Sequence, residues 1–381
     1  MGCSCRTTSP SCGIPPPDLD RSARREIDTF ALAREISKRR KQRSEEARDV
    51  STAKPMPRPP SVRGPERSSP PVIEVNHLEK LYGRLRAVDD VSFTVRGGEV
   101  FAFLGPNGAG KSTTVEILEG LRDPTSGDVR VLGLDPWTRF DEVKARVGVI
   151  PQDFDFFPTV TPREAVRLYA RLFDTHRDPD ELLARVELSD KADARYSTLS
   201  GGQQQKVGLA LALVNDPEVC FFDEPTTGLD PRARRSIWEV IRRLRDEGRT
   251  VFLTTHYLEE AQMLADRIAI INFGHIIATG TPDGLISEYG RPERLRIVGD
   301  AALGERLTKL GLPVVHSNGA VEVELRDKAD ALEVLQTVTR SGLRWDGFST
   351  VSDSLEDVFI RLVGRLEDGS VTGRADAGVS A

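Results

Sequence analysis

Long apolar runs and cysteines are both scarce in this sequence. It has no stretch of about 18 consecutive apolar residues, so it predicts no membrane-spanning helix. The apolar centre of a secretory signal is also missing behind Met1. Four cysteines among 381 residues are too few for a disulfide scaffold. We therefore expect a chain that stays in the cytoplasm or lies on a membrane without crossing it.

The charge is unevenly divided along the chain. Residues 1–71 hold 15 basic and 9 acidic side chains, whereas the whole chain holds 53 and 59, for a net charge of −6. The rest of the chain is therefore acidic, which argues against nucleic acid as a partner, because binding to the phosphate backbone needs basic side chains. Residues 1–71 also hold 11 of the 24 prolines, and this composition predicts a disordered, basic extension.

Two further hypotheses concern this extension. Residues 21–49 could form a helix with a thin apolar face, and the basic run Lys38–Arg43 on it predicts weak contact with a membrane surface. A solvated helix without a membrane contact is the alternative. Translation could also begin at Met56 instead of Met1.

A glycine-rich sequence, GPNGAGKST, lies between a short apolar run and a helical pattern. This is the context of a phosphate-binding loop, in which glycines let backbone N–H groups face the phosphates. Lys111 then supplies a positive charge for the β and γ phosphates, and Ser112 supplies a hydroxyl for Mg²⁺. The predicted ATP-binding residues of the loop are Gly105, Pro106, Asn107, Gly108, Ala109, Gly110, Lys111, Ser112 and Thr113.

Two adjacent carboxylates follow an apolar run further along the chain. Val219–Phe222 predicts a strand, and Asp223 and Glu224 follow it. At this distance after a phosphate-binding loop, Asp223 is expected to hold Mg²⁺ through water, and Glu224 to polarise a water molecule for attack on the γ-phosphate. An ordinary strand end is the alternative.

The sequence LSGGQ, which comprises Leu199, Ser200, Gly201, Gly202 and Gln203, precedes a helix rich in Ala and Leu. Small residues beside free helical N–H groups form an anion site, although a capped glycine turn would give the same pattern. The order of phosphate loop, LSGGQ and apolar-Asp-Glu strand resembles that of the ATP-binding cassette (ABC) ATPases. The resemblance extends over about Val72–Pro282.

This resemblance implies roles for four more residues. Tyr82 would stack on adenine, and Gln152 would reach Mg²⁺ and the attacking water. Asp230 would lie in the D-loop at a dimer contact, and His256 would bind the γ-phosphate. Glu224, His256 and Gln152 form the implied catalytic set; Ser112, Gln152 and Asp223 form the implied Mg²⁺ set. The LSGGQ segment would bind the ATP of a partner protomer.

The expected fold is α/β. An ABC ATPase domain of the P-loop NTPase type, with an antiparallel β subdomain and a helical subdomain, is predicted over residues 72–290. The element order over 291–365 is βαββαβ with an added helix, which predicts a small α+β domain of the ferredoxin-like kind. Residues 366–381 are expected to be a disordered tail.

The finer resemblance is to the ATPase subunits of bacterial drug exporters, through TGLD, GHIIATGTP and SLEDVFIRLVG. It implies an ATPase that uses ATP and Mg²⁺, forms a homodimer, and binds a separate membrane-spanning permease at the cytoplasmic face of the cell membrane. The cargo would be a drug, an antibiotic or a lipid-like compound. A soluble ABC ATPase that acts on a macromolecular assembly is the alternative.

Overall fold

The computed structural model describes residues 71–300, 302–317 and 319–367. The predictions for residues 1–70 lie outside these ranges: the disordered extension, its helix, the membrane contact of Lys38–Arg43 and the start at Met56. The prediction for the tail also falls outside them, apart from residues 366 and 367. None of the helices in the described ranges is long and apolar enough to cross a membrane.

The described residues form both strands and helices, and most of the parallel strands are separated by helices. The strands are β1 (Pro71–Tyr82), β2 (Leu85–Arg96), β3 (Val100–Leu104), β4 (Ser126–Val131), β5 (Val147–Ile150), β6 (Val219–Asp223), β7 (Thr250–Thr255), β8 (Arg267–Asn272), β9 (His275–Gly280), β10 (Arg294–Gly299), β11 (Val314–Ser317), β12 (Ala320–Glu324) and β13 (Trp345–Val351). The helices are α1 (Lys111–Leu118), α2 (Phe140–Lys144), α3 (Pro162–Ala170), α4 (Pro179–Arg185), α5 (Gly201–Ala212), α6 (Pro231–Asp246), α7 (Leu258–Leu264), α8 (Pro282–Tyr289), α9 (Ala302–Thr308), α10 (Lys328–Arg340) and α11 (Leu355–Glu367).

The central sheet has the strand order β5-β6-β7-β3-β8-β9. Its strands are parallel except for the antiparallel pair of β8 and β9. Every residue of β3, β6 and β7 is buried, which explains why the sequences of β3 and β6 are almost continuously apolar. Phe101, Phe103 and Phe252 pack around Phe93 of β2, with ring centroids 5.5 to 5.9 Å from it.

An antiparallel sheet and a group of helices each share an apolar core with strands of this central sheet. The antiparallel sheet has the order β2-β1-β4 and shares one apolar core with β3 and α1. The helices α3, α4 and α5 share a second core with β6 and β7. Capping boxes begin α3 at Thr161 and α5 at Ser200, so each of these helices starts where its sequence provides a side-chain acceptor.

A third sheet follows, with the order β11-β12-β10-β13 and antiparallel pairing throughout. The helices α9 and α10 supply Leu303, Leu307, Val334 and Val338 to the same core as Leu295 and Ile297 of β10. This is the βαββαβ arrangement expected from the element order.

The last helix, α11, packs on the central sheet and not on the small third sheet that precedes it in the sequence. The sequence groups it with the small α+β domain, but Leu355 lies in a core with Leu104 of β3, Ile270 of β8 and Leu285 of α8. Arg361 also donates hydrogen bonds to the carbonyl oxygen of Tyr289 and to Asp353. The chain therefore returns to the central sheet after the small sheet is complete.

One ion-pair cluster joins the helical group to α6. The Glu187 carboxylate accepts hydrogen bonds from Lys206 of α5 at 2.9 Å, and from Ser236 and Arg243 of α6 at 2.8 and 2.9 Å. The Lys206 ammonium is the largest cause that lowers the pKa of Glu187 from 4.5 to about 2.

We predict that Glu187→Gln lowers the melting temperature at pH 7. Because the pKa of Glu187 is lower in the folded chain, its stabilising effect is complete above pH 4.5 and disappears as the pH falls towards 2. The difference in melting temperature between variant and parent should therefore narrow below pH 4.5. Glu239→Gln, an exposed change on α6, is the control and should leave the melting temperature unchanged at every pH. A difference that stays constant between pH 7 and 3 would contradict the prediction.

Candidate active site

Three adjacent parallel strands end at the same edge of the central sheet. The phosphate loop leaves β3, Asp223 and Glu224 lie at the end of β6, and His256 follows β7. Since β3 pairs with β7, and β7 pairs with β6, sequence segments more than a hundred residues apart meet here. Ligands of parallel sheets bind at this carboxyl edge.

The phosphate loop turns through glycines that have positive φ angles. Gly108 has φ +80° and Gly110, the residue before α1, has φ +102°. A side chain at Gly110 would place its Cβ 2.3 Å from the carbonyl oxygen of Ala87, so only glycine fits there. The loop therefore presents its backbone N–H groups and the N-terminus of α1 to an anion.

Lys111 and Glu224 form a buried ion pair. The Lys111 ammonium lies 3.2 Å from Oε1 of Glu224, and the two side chains are 4% and 5% exposed. The ammonium also donates hydrogen bonds to the carbonyl oxygens of Gly105, at 2.9 Å, and Pro106, at 3.2 Å. These acceptors compensate the Lys111 charge inside the protein and hold it in the loop.

His256 completes this group. Its Nδ1 lies 3.0 Å from Oε2 of Glu224, and its side chain is 30% exposed. A carboxylate only accepts hydrogen bonds, so Nδ1 is the donor and the Nε2 atom remains for another ligand. Thr227 Oγ1 donates a further hydrogen bond of 3.2 Å to Oε2 of Glu224.

The backbone at Glu224 is unusual. Its φ is +49°, a left-handed conformation that costs a non-glycine residue energy and that clusters at functional sites. The Glu224 N–H donates to the carbonyl oxygen of Thr254, at 3.2 Å, and to its hydroxyl, at 3.0 Å. This turn aims the Glu224 carboxylate away from its strand and towards Lys111 and His256.

Asp223 precedes Glu224 in the sequence, and the oxygen atoms of its carboxylate are suitable ligands for Mg²⁺. Its carboxylate accepts hydrogen bonds from the hydroxyls of Thr254 and Ser112. Burial raises the pKa of Asp223, and these two hydrogen bonds oppose that effect. A carboxylate and a serine hydroxyl both offer oxygen ligands. Mg²⁺ prefers such ligands and binds them together with water and phosphates.

Tyr82 lies at the end of β1 with its side chain partly open to solvent. It is 39% exposed. The Arg122 guanidinium lies 5.4 Å and the Lys80 ammonium 5.2 Å from the centre of its ring. The ring can therefore stack on a base while cations hold it at a fixed place.

The remaining predicted residues lie apart from this group. Gln152 is exposed behind β5, and within the described ranges its side chain has no hydrogen bond to the loop or to the carboxylates. Ser200 caps α5, and Gly202 packs against Ala233 near the start of α6. Asp230 caps α6 by accepting hydrogen bonds from the N–H groups of Arg232 and Ala233. None of the hydrogen bonds or ion pairs among the described residues joins LSGGQ to the phosphate loop of the same chain.

The residues that support the site leave little or no signal in the sequence. Thr254 orients both Asp223 and Glu224, Thr227 contacts Glu224, and Arg122 lies over Tyr82. For Thr254, the pair of threonines directly before His256 was the available signal. Arg122 gave none, because its partner is distant in the sequence.

The chain is similar in sequence to ATP-binding proteins of ABC transporters. The family model described as ABC transporter matches residues 88–227. The chain is 38% identical over 313 residues to the Nod factor export ATP-binding protein I of Ralstonia nicotianae, a match that covers 79% of this chain and 97% of that protein. It is also 38% identical to the daunorubicin/doxorubicin resistance ATP-binding protein DrrA of Streptomyces peucetius, over 80% of this chain and 96% of that protein.

Among solved structures, a dimeric ATP-binding cassette in a post-hydrolysis state, bound to ADP and Pi, is similar to this chain. The two are 28% identical with a TM-score of 0.50, and the match covers 55% of this chain and 98% of that chain. The fold class predicted from the sequence is confirmed.

We predict that Gly110→Ala abolishes most ATP hydrolysis. The added Cβ must either displace the Ala87 carbonyl oxygen or force residue 110 away from its φ of +102°. Either change moves the backbone N–H groups of the loop. Gly133→Ala is the control, because Gly133 also has a positive φ of +73° but its Cβ would meet no atom within 4 Å. The control should lose only about 1–2 kcal/mol of stability and keep its turnover. Equal turnover of the two variants would show that the loop tolerates the change.

Proposed function

Because this chain belongs to the ABC transporter family of ATP-binding proteins, we propose that it is the ATP-hydrolysing subunit of an exporter and drives transport through a separate membrane-spanning permease. The observation that carries the proposal is the match to two proteins over nearly their whole length. One is named for Nod factor export and the other for daunorubicin and doxorubicin resistance. These names support export as the function and a drug or an antibiotic as the cargo. We propose a lipid-like compound as a further possible cargo, and attachment of the chain at the cytoplasmic face of the membrane.

The geometry supports a role for each residue near Lys111. The Lys111 ammonium and the N-terminus of α1 bind the phosphates of ATP, while Tyr82 stacks on adenine. Glu224 accepts a proton from the attacking water, since its carboxylate lies between Lys111 and His256, in contact with both. His256 holds the γ-phosphate through the ring nitrogen that does not face Glu224.

Ser112 and Asp223 would hold Mg²⁺, since they are adjacent oxygen ligands beside the phosphate loop. When bound, the ion neutralises charge on the β and γ phosphates. Gln152 remains a proposed third ligand and a proposed contact to the attacking water. Its exposed position implies that it approaches the site only when β5 and the segment after it move.

We further propose a homodimer with shared ATP sites. The LSGGQ segment does not bond to the phosphate loop of its own chain, and the similar dimeric cassette holds ADP and Pi. In such a pair, Leu199–Gln203 of one copy covers the ATP of the other, and Asp230 lies near the contact. The proposed domain division remains 72–290 for the nucleotide-binding domain and 291–365 for the small domain, although α11 packs on the former.

Glu224→Gln should separate ATP binding from hydrolysis. Glutamine keeps the shape of the side chain but is a far poorer base, so turnover should fall by about 10²–10⁴. ATP affinity should not fall, because the change also removes a carboxylate that competes with phosphate for Lys111. The stalled variant should accumulate as a dimer when Mg-ATP is present.

A phosphate-release assay and size-exclusion chromatography test the two parts of this prediction. Glu259→Gln, an exposed change on α7, is the matched control and should behave as the parent does. Near-parental turnover of Glu224→Gln would exclude it as the base. Slow turnover without an ATP-dependent dimer would contradict the shared sites.

The exporter proposal is tested by the location and partner of the chain in the cell. We expect the tagged chain to sediment with membranes and to co-purify in detergent with a polytopic membrane protein that stimulates its ATPase activity. A chain that co-sediments with ribosomes or another soluble assembly, and whose ATPase activity no membrane protein stimulates, would support the alternative instead.

A further inference from the structure

A stack of three side chains lies behind the histidine of the site. The ring of Tyr257 lies against the ring of His256, with centroids 4.1 Å apart. On Tyr257 the Arg234 guanidinium is 4.3 Å from the ring centre. Arg234 belongs to the first turns of α6, the helix that Asp230 caps. The stack therefore connects the start of α6 to the histidine that contacts Glu224.

We propose that Arg234 and Tyr257 are positioning residues for ATP hydrolysis, which fix the ring of His256 against Glu224. The inference rests on the proposed hydrolytic role of that pair. A histidine ring that is 30% exposed can turn about two side-chain torsions, and the hydrogen bond to Glu224 does not by itself fix both. Contact with the Tyr257 ring restricts this motion, and a cation over Tyr257 restricts the tyrosine in turn.

The surroundings of Arg234 support a function in this stack. Its Nε is buried and has no hydrogen-bond partner among the described residues. Its charge acts instead on the Tyr257 ring and on the carboxylate of Glu260. An arginine held in this way contributes through its planar cation, because no side-chain hydrogen bond of Nε accounts for its place.

Glu260 of α7 is hydrogen-bonded to the segment after β6 and to α6, the helix that carries Arg234. It is fully buried, and its Oε1 accepts hydrogen bonds of 2.9 Å from Thr226 and from the indole N–H of Trp238. Thr226 follows the Glu224 turn, Trp238 lies on α6, and Glu260 lies on α7 one turn after Tyr257. These hydrogen bonds tie the Glu224 turn, α6 and α7 together, and Arg234 takes no part in them.

The same contacts connect the proposed dimer interface to the proposed γ-phosphate site. Asp230 and α6 lie where the second copy is proposed to bind, and His256 lies where the γ-phosphate is proposed to bind. A shift of α6 moves Arg234, and Arg234 changes how tightly Tyr257 holds His256. Hydrolysis would thereby depend on the contact between the two copies.

We expect Arg234→Ala to lower kcat for ATP hydrolysis roughly three- to thirtyfold while KM for ATP stays unchanged, since Arg234 contacts Tyr257 and lies outside the phosphate loop. The melting temperature should also fall, because the variant loses a cation that acts on the buried Glu260 carboxylate. Tyr257→Leu should cause a similar loss, and Tyr257→Phe, which keeps the ring, should retain most of the turnover. Arg242→Ala is the control, a half-buried arginine two turns further along α6, and should match the parent.

The deciding comparison uses a His256→Ala background, measured by single-turnover hydrolysis with enzyme in excess. If Arg234 acts through His256, adding Arg234→Ala should have no further effect there. An equal loss in both backgrounds, an unchanged kcat in Arg234→Ala, or a rise in KM alone would overturn the inference. Absence of ATP hydrolysis by the parent chain would instead refute the proposed function, so the two failures are distinguishable.

Discussion

The buried ion pair of Lys111 and Glu224 is the interaction on which the rest of the site depends. Two charges removed from water are tolerated only when each has close partners, and here the partners come from the phosphate loop and from the segments that follow β6 and β7. Carbonyl oxygens of the phosphate loop surround Lys111, while Thr227 and His256 contact Glu224. In the proposed function, a phosphate group that binds Lys111 replaces Glu224 as its partner, which would free the carboxylate for water.

The central sheet makes this pair possible. Parallel strands that are buried on both faces carry no functional side chains along their length, so the chemistry is confined to their ends. The order β6-β7-β3 places the carboxylates, the histidine and the phosphate loop side by side. The φ of +49° at Glu224 then turns its carboxylate across the edge, and hydrogen bonds to Thr254 hold that strained turn.

Local patterns in the sequence were enough to predict the fold class and the elements at this edge. A glycine-rich loop between strand and helix, followed later by two carboxylates after an apolar strand, is typical of a nucleotide-binding sheet. The support of the site was not predictable, because Arg234, Tyr257 and Glu260 meet only through the packing of α6 against α7. The packing of α11 was not predictable for the same reason, since its core contacts with β3 and β8 join segments that are far apart in the sequence.

The most direct test of this account is a structure of the chain with Mg²⁺ and a non-hydrolysable ATP analogue. The measured quantity is the separation between Nζ of Lys111 and Oε1 of Glu224, which is 3.2 Å here. We expect Nζ to contact a phosphate oxygen, and its separation from Oε1 of Glu224 to exceed the ion-pair limit of about 4 Å. An analogue bound elsewhere, with the Lys111–Glu224 pair unchanged, would contradict it.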